Sequence, residues 1–455
     1  MWSIARGLAF LALGGLVLGA AAVAAAAPGD LDPTFGTGGT VVTDLGGADY
    51  PAAVALQPDG KIVIAGTRLV GPRGTSRFGI VLFRYRSDGT LDATFGTGGF
   101  VVTELGDGTI AWVTGVALQS DGKILVTGGA GLISGAFQGF VVARYHSDGT
   151  LDATFGSGGL VVTGFGQGHF ASAAALALQA DGRIVVAGTA YFSPFNQVAL
   201  ARYTANGVLD PTFGVGGTAV LNFDGTQYTR AMALQPDGKI VLTAWTPPFG
   251  RQGFLVLRYT ADGILDPSFG QGGAAVTDFG GDADPLALGV MADGRIVVAG
   301  GARGDLALAR YVPDGRPDPS FGAAGKVTTD LGGLEAAYAL ALQPDGKVVV
   351  AGAMAILADR APDSIGVRDV VFGLARYTPS GELDASFGTG GGQALDFIPS
   401  ALVLQPDGKI VAVGHLFTDF MVARVIGDSH TVSIANDQAA SRPAEVTTTP
   451  FVASP

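Results

Sequence analysis

The chain has 455 residues, no cysteine, and 39 acidic against 27 basic side chains, a formal net charge of −12. The absent cysteines exclude disulfides, thiol catalysis, iron–sulfur clusters and cysteine-ligated zinc. The acidic balance argues against nucleic acid and anionic lipid, which need a basic surface, and five of the six lysines (Lys61, Lys123, Lys239, Lys347, Lys409) follow an Asp-Gly pair, leaving no free basic patch.

In chain order, one positive charge in residues 1–6 precedes an apolar run over 7–27 that ends in small residues before Pro28-Gly29-Asp30. This is the layout of a secretory signal peptide, expected to occupy 1–26 with cleavage near Ala26. The alternative is a retained anchor, because the run is long enough to span a bilayer. Either way the expectation is an exported protein (periplasmic, extracellular or cell-surface), with no membrane insertion once the leader is cleaved.

From residue 31 onward one unit recurs. The Asp of an Asp-Gly pair falls at Asp59, Asp121, Asp181, Asp237, Asp293, Asp345 and Asp407, and an Arg, mostly followed by Tyr, at Arg84, Arg144, Arg202, Arg258, Arg310, Arg376 and Arg424. Leu-Asp-x-x-Phe-Gly places Phe35, Phe95, Phe155, Phe213, Phe269, Phe321 and Phe387. The first unit reads as four strands over 52–57, 61–67, 78–85 and 100–105. Asp59-Gly60 forms a tight hairpin between the first two strands. The third strand is apolar at every step (Ile80, Val81, Leu82, Phe83), as expected of a strand covered on both faces. Four-stranded antiparallel units buried between neighbours, repeated at about 57 residues, predict an all-β fold: a seven-bladed β-propeller. A strand over 40–45 has no preceding hairpin, and the last unit lacks its fourth strand. The N-terminal strand is therefore expected to close the last blade, with 431–435 as a competing donor. The domain plan is signal peptide 1–26, propeller 27–427 and a disordered Ser/Thr/Ala/Pro-rich tail 428–455.

The unit A-L-Q-P-D-G-K-I-V, then A-R-Y, then L-D-x-x-F-G resembles the bacterial delta-60 repeat of exported β-propellers. Gln57-Pro58-Asp59-Gly60-Lys61, Arg144-Tyr145 and Leu151-Asp152-Ala153-Thr154-Phe155-Gly156 carry the match, which extends over about 31–425. Pro317 in place of Leu, Val425 in place of Tyr and Met291-Ala292 in place of Gln-Pro are departures. The resemblance implies the propeller fold and brings neither an established activity nor catalytic residues.

Residues present in every unit read as structure, because a site needs one constellation and not seven. Arg84, Arg144 and Arg202 are expected to pair with an Asp of the Leu-Asp series (Asp92, Asp152, Asp210), within or between blades, and Phe95, Phe155 and Phe213 are likewise structural residues of the repeat. No metal is expected. His146, His169, His415 and His430 show no ligand spacing, and the acidic run Asp278, Asp282 and Asp284 reads as a solvated loop in preference to a calcium loop. No cofactor motif is present, and a monomer is expected.

The irregular part is the loop set on one face. There the aromatic and histidine residues Tyr50, Trp112, His169, Phe170, Tyr228, Trp245 and Phe249 are the candidate ligand contacts. Binding of a protein or glycan without catalysis is the reading preferred. The alternative is a lyase or hydrolase acting on an extracellular polymer at the channel mouth. For that, the acids on the face (Asp49, Asp107, Asp224, Asp282, Asp284, Glu335) single out no pair.

Overall fold

The computed structural model describes residues 26–70, 77–105, 109–132, 137–166, 170–221, 225–246, 253–354, 371–428 and 447–448. The leader expected at 1–26 lies outside them except for its last residue. So does the tail after Asp428, apart from Thr447–Thr448.

Seven antiparallel sheets form, and no helix occurs among the described residues. In blade one the strands a to d are Asp49–Leu56, Ile62–Val70, Arg77–Tyr85 and Phe100–Thr103, hydrogen-bonded in that order. The ends differ from the sequence reading by a few residues. Strands a and b run further toward the irregular face, because the apolar-run criterion misses residues that pair there with mixed side chains, such as Asp49 with Arg68. Each a strand touches the a strand of the next blade, and the seventh touches the first, so the a strands ring the centre. Thr447–Thr448 pairs with Leu288 and Ala287 on the a strand of blade five and touches the a strands of all the other blades, which places it in the central channel.

The ring closes as the sequence reading anticipates. Blade seven takes its a, b and c strands from Ile398–Leu404, Ile410–Leu416 and Asp419–Val425, and its d strand from Thr40–Thr43. Thr40 to Thr43 stand opposite Ala423 to Phe420 in antiparallel register. The competing donor at 431–435 lies outside the described residues.

The core sits between blades. Phe83 of blade one, for example, packs with Val411, Val413 and Phe420 of blade seven in one buried cluster, and Leu82 faces the other way into a cluster with blade two. Both faces of a c strand are therefore buried, and strict alternation of apolar and polar residues is lost. The Asp-Gly hairpins have a three-residue loop: Gly60 N–H donates to Gln57 O at 2.9 Å and Gln57 N–H to Lys61 O at 2.8 Å. Only the glycine takes the left-handed conformation (φ +82° at Gly60). Asp59 contributes through its side chain, which accepts from Lys61 N–H at 3.2 Å.

Every a strand carries a β-bulge against its b strand, at Pro51/Ala53, Val113/Gly115, Ala173/Ala175, Thr229/Ala231, Pro285/Ala287, Ala337/Ala339 and Pro399/Ala401. Nothing in the spacing of the apolar residues announces these bulges. They matter because a bulge re-aims the side chains around it.

Candidate functional site

The repeated charges join the blades. Arg84 Nε donates to Asp92 Oδ2 at 2.9 Å, Arg144 to Asp152 at 2.8 Å and Arg202 to Asp210 at 2.9 Å, each within its own blade. Nη2 donates to the hydroxyl of Thr94, Thr154 or Thr212. Nη1 crosses to the next blade, from Arg144 to Ala205 O and from Arg202 to Ala261 O, both at 2.6 Å. The guanidinium carbons of Arg84, Arg144 and Arg202 lie 4.7, 4.7 and 4.9 Å from the ring centroids of Phe95, Phe155 and Phe213. Each such Phe is in turn a seat for the next blade. Gly263, at φ +79°, has a Phe213 ring carbon only 2.5 Å from where a Cβ would stand, so no side chain fits there. In the last blade Arg424 takes Asp32 from the N-terminal segment ahead of Thr40–Thr43 at 2.8 Å and reaches Ser87 O of blade one, which fastens the ring shut.

These carboxylates are acidic for local reasons. At Asp152 and Asp210 the hydroxyls of Thr154 and Thr212 give the largest effect. Burial opposes it, while the backbone N–H groups of Thr154 and Thr212 donate to the same carboxylates and the charges of Arg144 and Arg202 help to hold both below the ordinary Asp value. All of this chemistry is spent on blade geometry, on the face where the loops do not vary.

The irregular face is where the a strands begin. The residue just before each bulge is structurally equivalent around the ring and reads Tyr50, Trp112, Ser172, Tyr228, Asp284, Ala336 and Ile398. Three candidate aromatics thus share one position in three blades, but the structure does not gather them into one patch. Tyr50 meets His415 edge-on at 5.8 Å across the junction of blades seven and one. Trp112 lies against Phe78 at 4.2 Å between blades one and two.

Tyr228 is in richer company. Its ring stands 5.5 Å from Trp245, tilted by 32°, and 6.3 Å from Tyr191. Arg230, the bulged residue of the same strand, lies over Trp245 at 5.4 Å. It also binds Asp284 of blade five with two bonds, Nε to Oδ1 at 3.0 Å and Nη2 to Oδ2 at 2.6 Å. Burial raises Asp284 from the ordinary carboxylate value while Arg230 opposes the rise. Phe170, 37% exposed, stands in register with Tyr191, and Phe195, 45% exposed, lies on the same loop. His169 and Phe249 lie outside the described residues. The sequence names the aromatics of this patch but misses Arg230, whose signal is a lone charge at a position that is apolar, Ser or Thr in most blades.

The acids on the face are used separately. Asp278 accepts from Gly280 N–H at 2.6 Å, Asp282 O accepts from Arg303 N–H, and Asp284 is held by Arg230. Asp49 is fully buried and faces one cation, Arg68, Nε to Oδ1 at 3.8 Å. Asp107 and Asp224 lie outside the described residues.

Seven four-stranded blades closed by the N-terminal strand define the class, a seven-bladed β-propeller. A family model described as "Domain of unknown function (DUF5122) beta-propeller" matches residues 57–95, 119–155, 179–213, 235–269 and 292–321, so five of the seven units are repeats of this family. No curated protein matches the chain. Among solved structures it is similar to a catalytically inactive virginiamycin B lyase from Staphylococcus aureus with quinupristin (11% identity, 85% of this chain and 99% of that one, TM-score 0.48). It is also similar to the WD40 β-propeller domain of Doa1 (12% identity, 85% and 97%, TM-score 0.47). A third is a protein of unknown function from Dyadobacter fermentans (15% identity, 87% and 100%, TM-score 0.42). Likenesses this distant carry nothing over to the chemistry of this chain.

Proposed function

We propose that the protein is an exported, non-catalytic propeller that binds a glycan on its irregular face, with Tyr228 and Trp245 as the platform. The observation that carries the reading is the combination at blades three to five. Partly exposed aromatic rings stand side by side, with an Arg over one of them already locked to an Asp. Flat apolar rings suit the C–H face of a sugar, and fixed polar groups at their rim suit its hydroxyls. The guanidinium and carboxylate of Arg230 and Asp284 neutralise one another, which favours recognition over acid–base work. A protein ligand is the competing occupant.

One experiment tests export and binding together. The full chain is expressed with its leader, recovered outside the cytoplasm with its new N-terminus near residue 27, and applied to a glycan array and a polysaccharide panel. Tyr228→Ala and Trp245→Ala are each expected to weaken binding about tenfold or more, the scale of a lost anchoring aromatic. Trp112→Ala, on another junction, should leave it unchanged. Binding indifferent to both platform changes would rule out this patch. Turnover of any panel member would favour the lyase or hydrolase alternative.

A further inference from the structure

We propose that Asp305, Asp330 and Glu335, at the junction of blades five and six, form a calcium site. Each offers a carboxylate oxygen, and these lie within 4.8 Å of one another. Asp305 opens the c strand of blade five, Asp330 follows its d strand, and Glu335 precedes the a strand of blade six. Glu335 is only 3% exposed. Its Oε1 accepts from Gly333 N–H at 2.6 Å, while its Oε2 is buried with no hydrogen-bond partner. A buried carboxylate oxygen left without a donor is costly unless a cation meets it.

The ring supplies its own controls. The same junction is built between blades seven and one: 44–49 reads Asp-Leu-Gly-Gly-Ala-Asp where 330–335 reads Asp-Leu-Gly-Gly-Leu-Glu. Asp44 accepts from Gly46 N–H as Asp330 does from Gly332 N–H. Asp49 N–H donates to Thr418 O as Glu335 N–H does to Gly304 O. Asp419 opens its c strand as Asp305 does. At that junction the oxygens of Asp49 are also buried without a hydrogen-bond donor, but a cation stands by them: Arg68 lies opposite, with Nε 3.8 Å from Oδ1 and Nη2 bonded to Leu45 O.

A third junction, between blades three and four, repeats the backbone bond, Gln227 N–H to Asn196 O at 2.9 Å. There the buried residue is a neutral amide whose Nε2 donates to Gly225 O. At the Glu335 junction an acid stands in the place of Gln227, and the residue in the place of Arg68 is the fully buried Met354. Among the described residues no ion pair reaches Asp305, Asp330 or Glu335.

Three negative oxygens therefore converge where the equivalent junctions hold an arginine or need no charge at all. All-oxygen donors select a hard cation, and Ca–O distances of about 2.3–2.6 Å allow ligands up to about 5 Å apart, wider than the roughly 4 Å across octahedral magnesium.

The test uses calcium itself on the full-length protein, by calorimetric titration and thermal unfolding, with magnesium as comparator. One equivalent should bind with Kd on the order of 0.1–1 mM, the range of extracellular modules with few ligands. Calcium, and not magnesium, should raise Tm. Glu335→Gln, copying residue 227, should fold as the parent does and lose at least about tenfold in affinity, since affinity follows ligand charge. Met354→Arg, copying residue 68, should abolish the calcium response while keeping the metal-free Tm at or above that of the parent. No calcium-dependent heat or Tm shift overturns the site, and so does an undiminished response in either variant. Tyr228→Ala should leave calcium binding intact, which separates failure here from failure of the glycan reading.

Discussion

Tyr259 is the odd member of a set. The tyrosine after each repeated Arg reaches back to the preceding blade and bonds a Thr at the end of its d strand: Tyr145 to Thr103 at 2.9 Å, Tyr203 to Thr163 at 2.7 Å and Tyr377 to Thr329 at 2.8 Å. Tyr85 with Thr43 and Tyr311 with Thr277 do the same. In blade three the d strand ends in Leu221, and the Tyr259 hydroxyl is buried without a partner. In blade six it ends in Leu395, and the facing residue is Val425, so both halves of the pair have turned apolar together. Val425, which the sequence reading records as an isolated departure, is thus matched by its neighbour. Tyr259→Phe should be neutral or stabilising, whereas Tyr203→Phe should cost about 0.5–1.5 kcal/mol. Leu221→Thr should give Tyr259 its missing partner, so that Tyr259→Phe in that background costs as much as Tyr203→Phe, while the packing of Leu221 on the core is lost. Urea midpoints measure all three, and an equal cost at Tyr203 and Tyr259 would mean that the lone hydroxyl has a partner after all.

At the scale of the blade, the Arg–Asp pair decides how the fold responds to acid. Asp152 and Asp210 are held below their unfolded value of 3.8, first by Thr154 and Thr212. The stability they contribute is therefore fully present above that value and is lost as pH falls through the depressed folded value. Asp49 has the opposite sign. Burial raises it, Arg68 partly opposes the rise, and Asp44 and Asp419 add to it, so its cost to the fold grows as pH climbs from 3.8 through the raised value. Asp152→Asn should lose about 3–5 kcal/mol at neutral pH, because Arg144 stays buried, and should show a shallower fall in acid. Asp49→Asn should gain stability at neutral pH and converge with the parent in acid. Urea midpoints followed from neutral pH into acid read both, and a parallel shift of Asp152→Asn at every pH would count against the linkage.

That each Arg meets an Asp was legible from their recurrence. That its Nη1 crosses to the next blade was not, since a period says that a contact repeats and not which neighbour it reaches. The bulges left no mark in the apolar runs. Glu335 drew notice only as one scattered acid, because its companions Asp305 and Asp330 come from other strand ends that only the pairing of strands brings near. The one available clue was the shared spacing of 44–49 and 330–335.

At the scale of the whole molecule, stability is a sum over neighbouring blades, and a ring has one more interface than an open array of the same blades. Residues 27–45 complete that last interface, whose buried core already joins blade one to the a, b and c strands of blade seven. Asp32 meets Arg424, Phe35 is fully buried, Thr40 to Thr43 complete the sheet of blade seven, and Thr43 bonds Tyr85 of blade one. Gly36 N–H also donates to Asp88 O of blade one at 2.8 Å. Without this segment Arg424 loses its carboxylate partner Asp32 and keeps Ser87 O, the c strand of blade seven becomes a bare edge, and blade one loses the Thr43 and Gly36 bonds to its neighbour. An exposed edge of that kind pairs with other chains. A chain starting at residue 46 should therefore melt well below the parent and run as aggregates in gel filtration. Adding a peptide of residues 27–45 should restore a monomer and most of the lost Tm, because the missing strand needs no covalent link to pair. A truncated chain that stays monomeric with an unchanged Tm would mean that blade seven closes on some other donor.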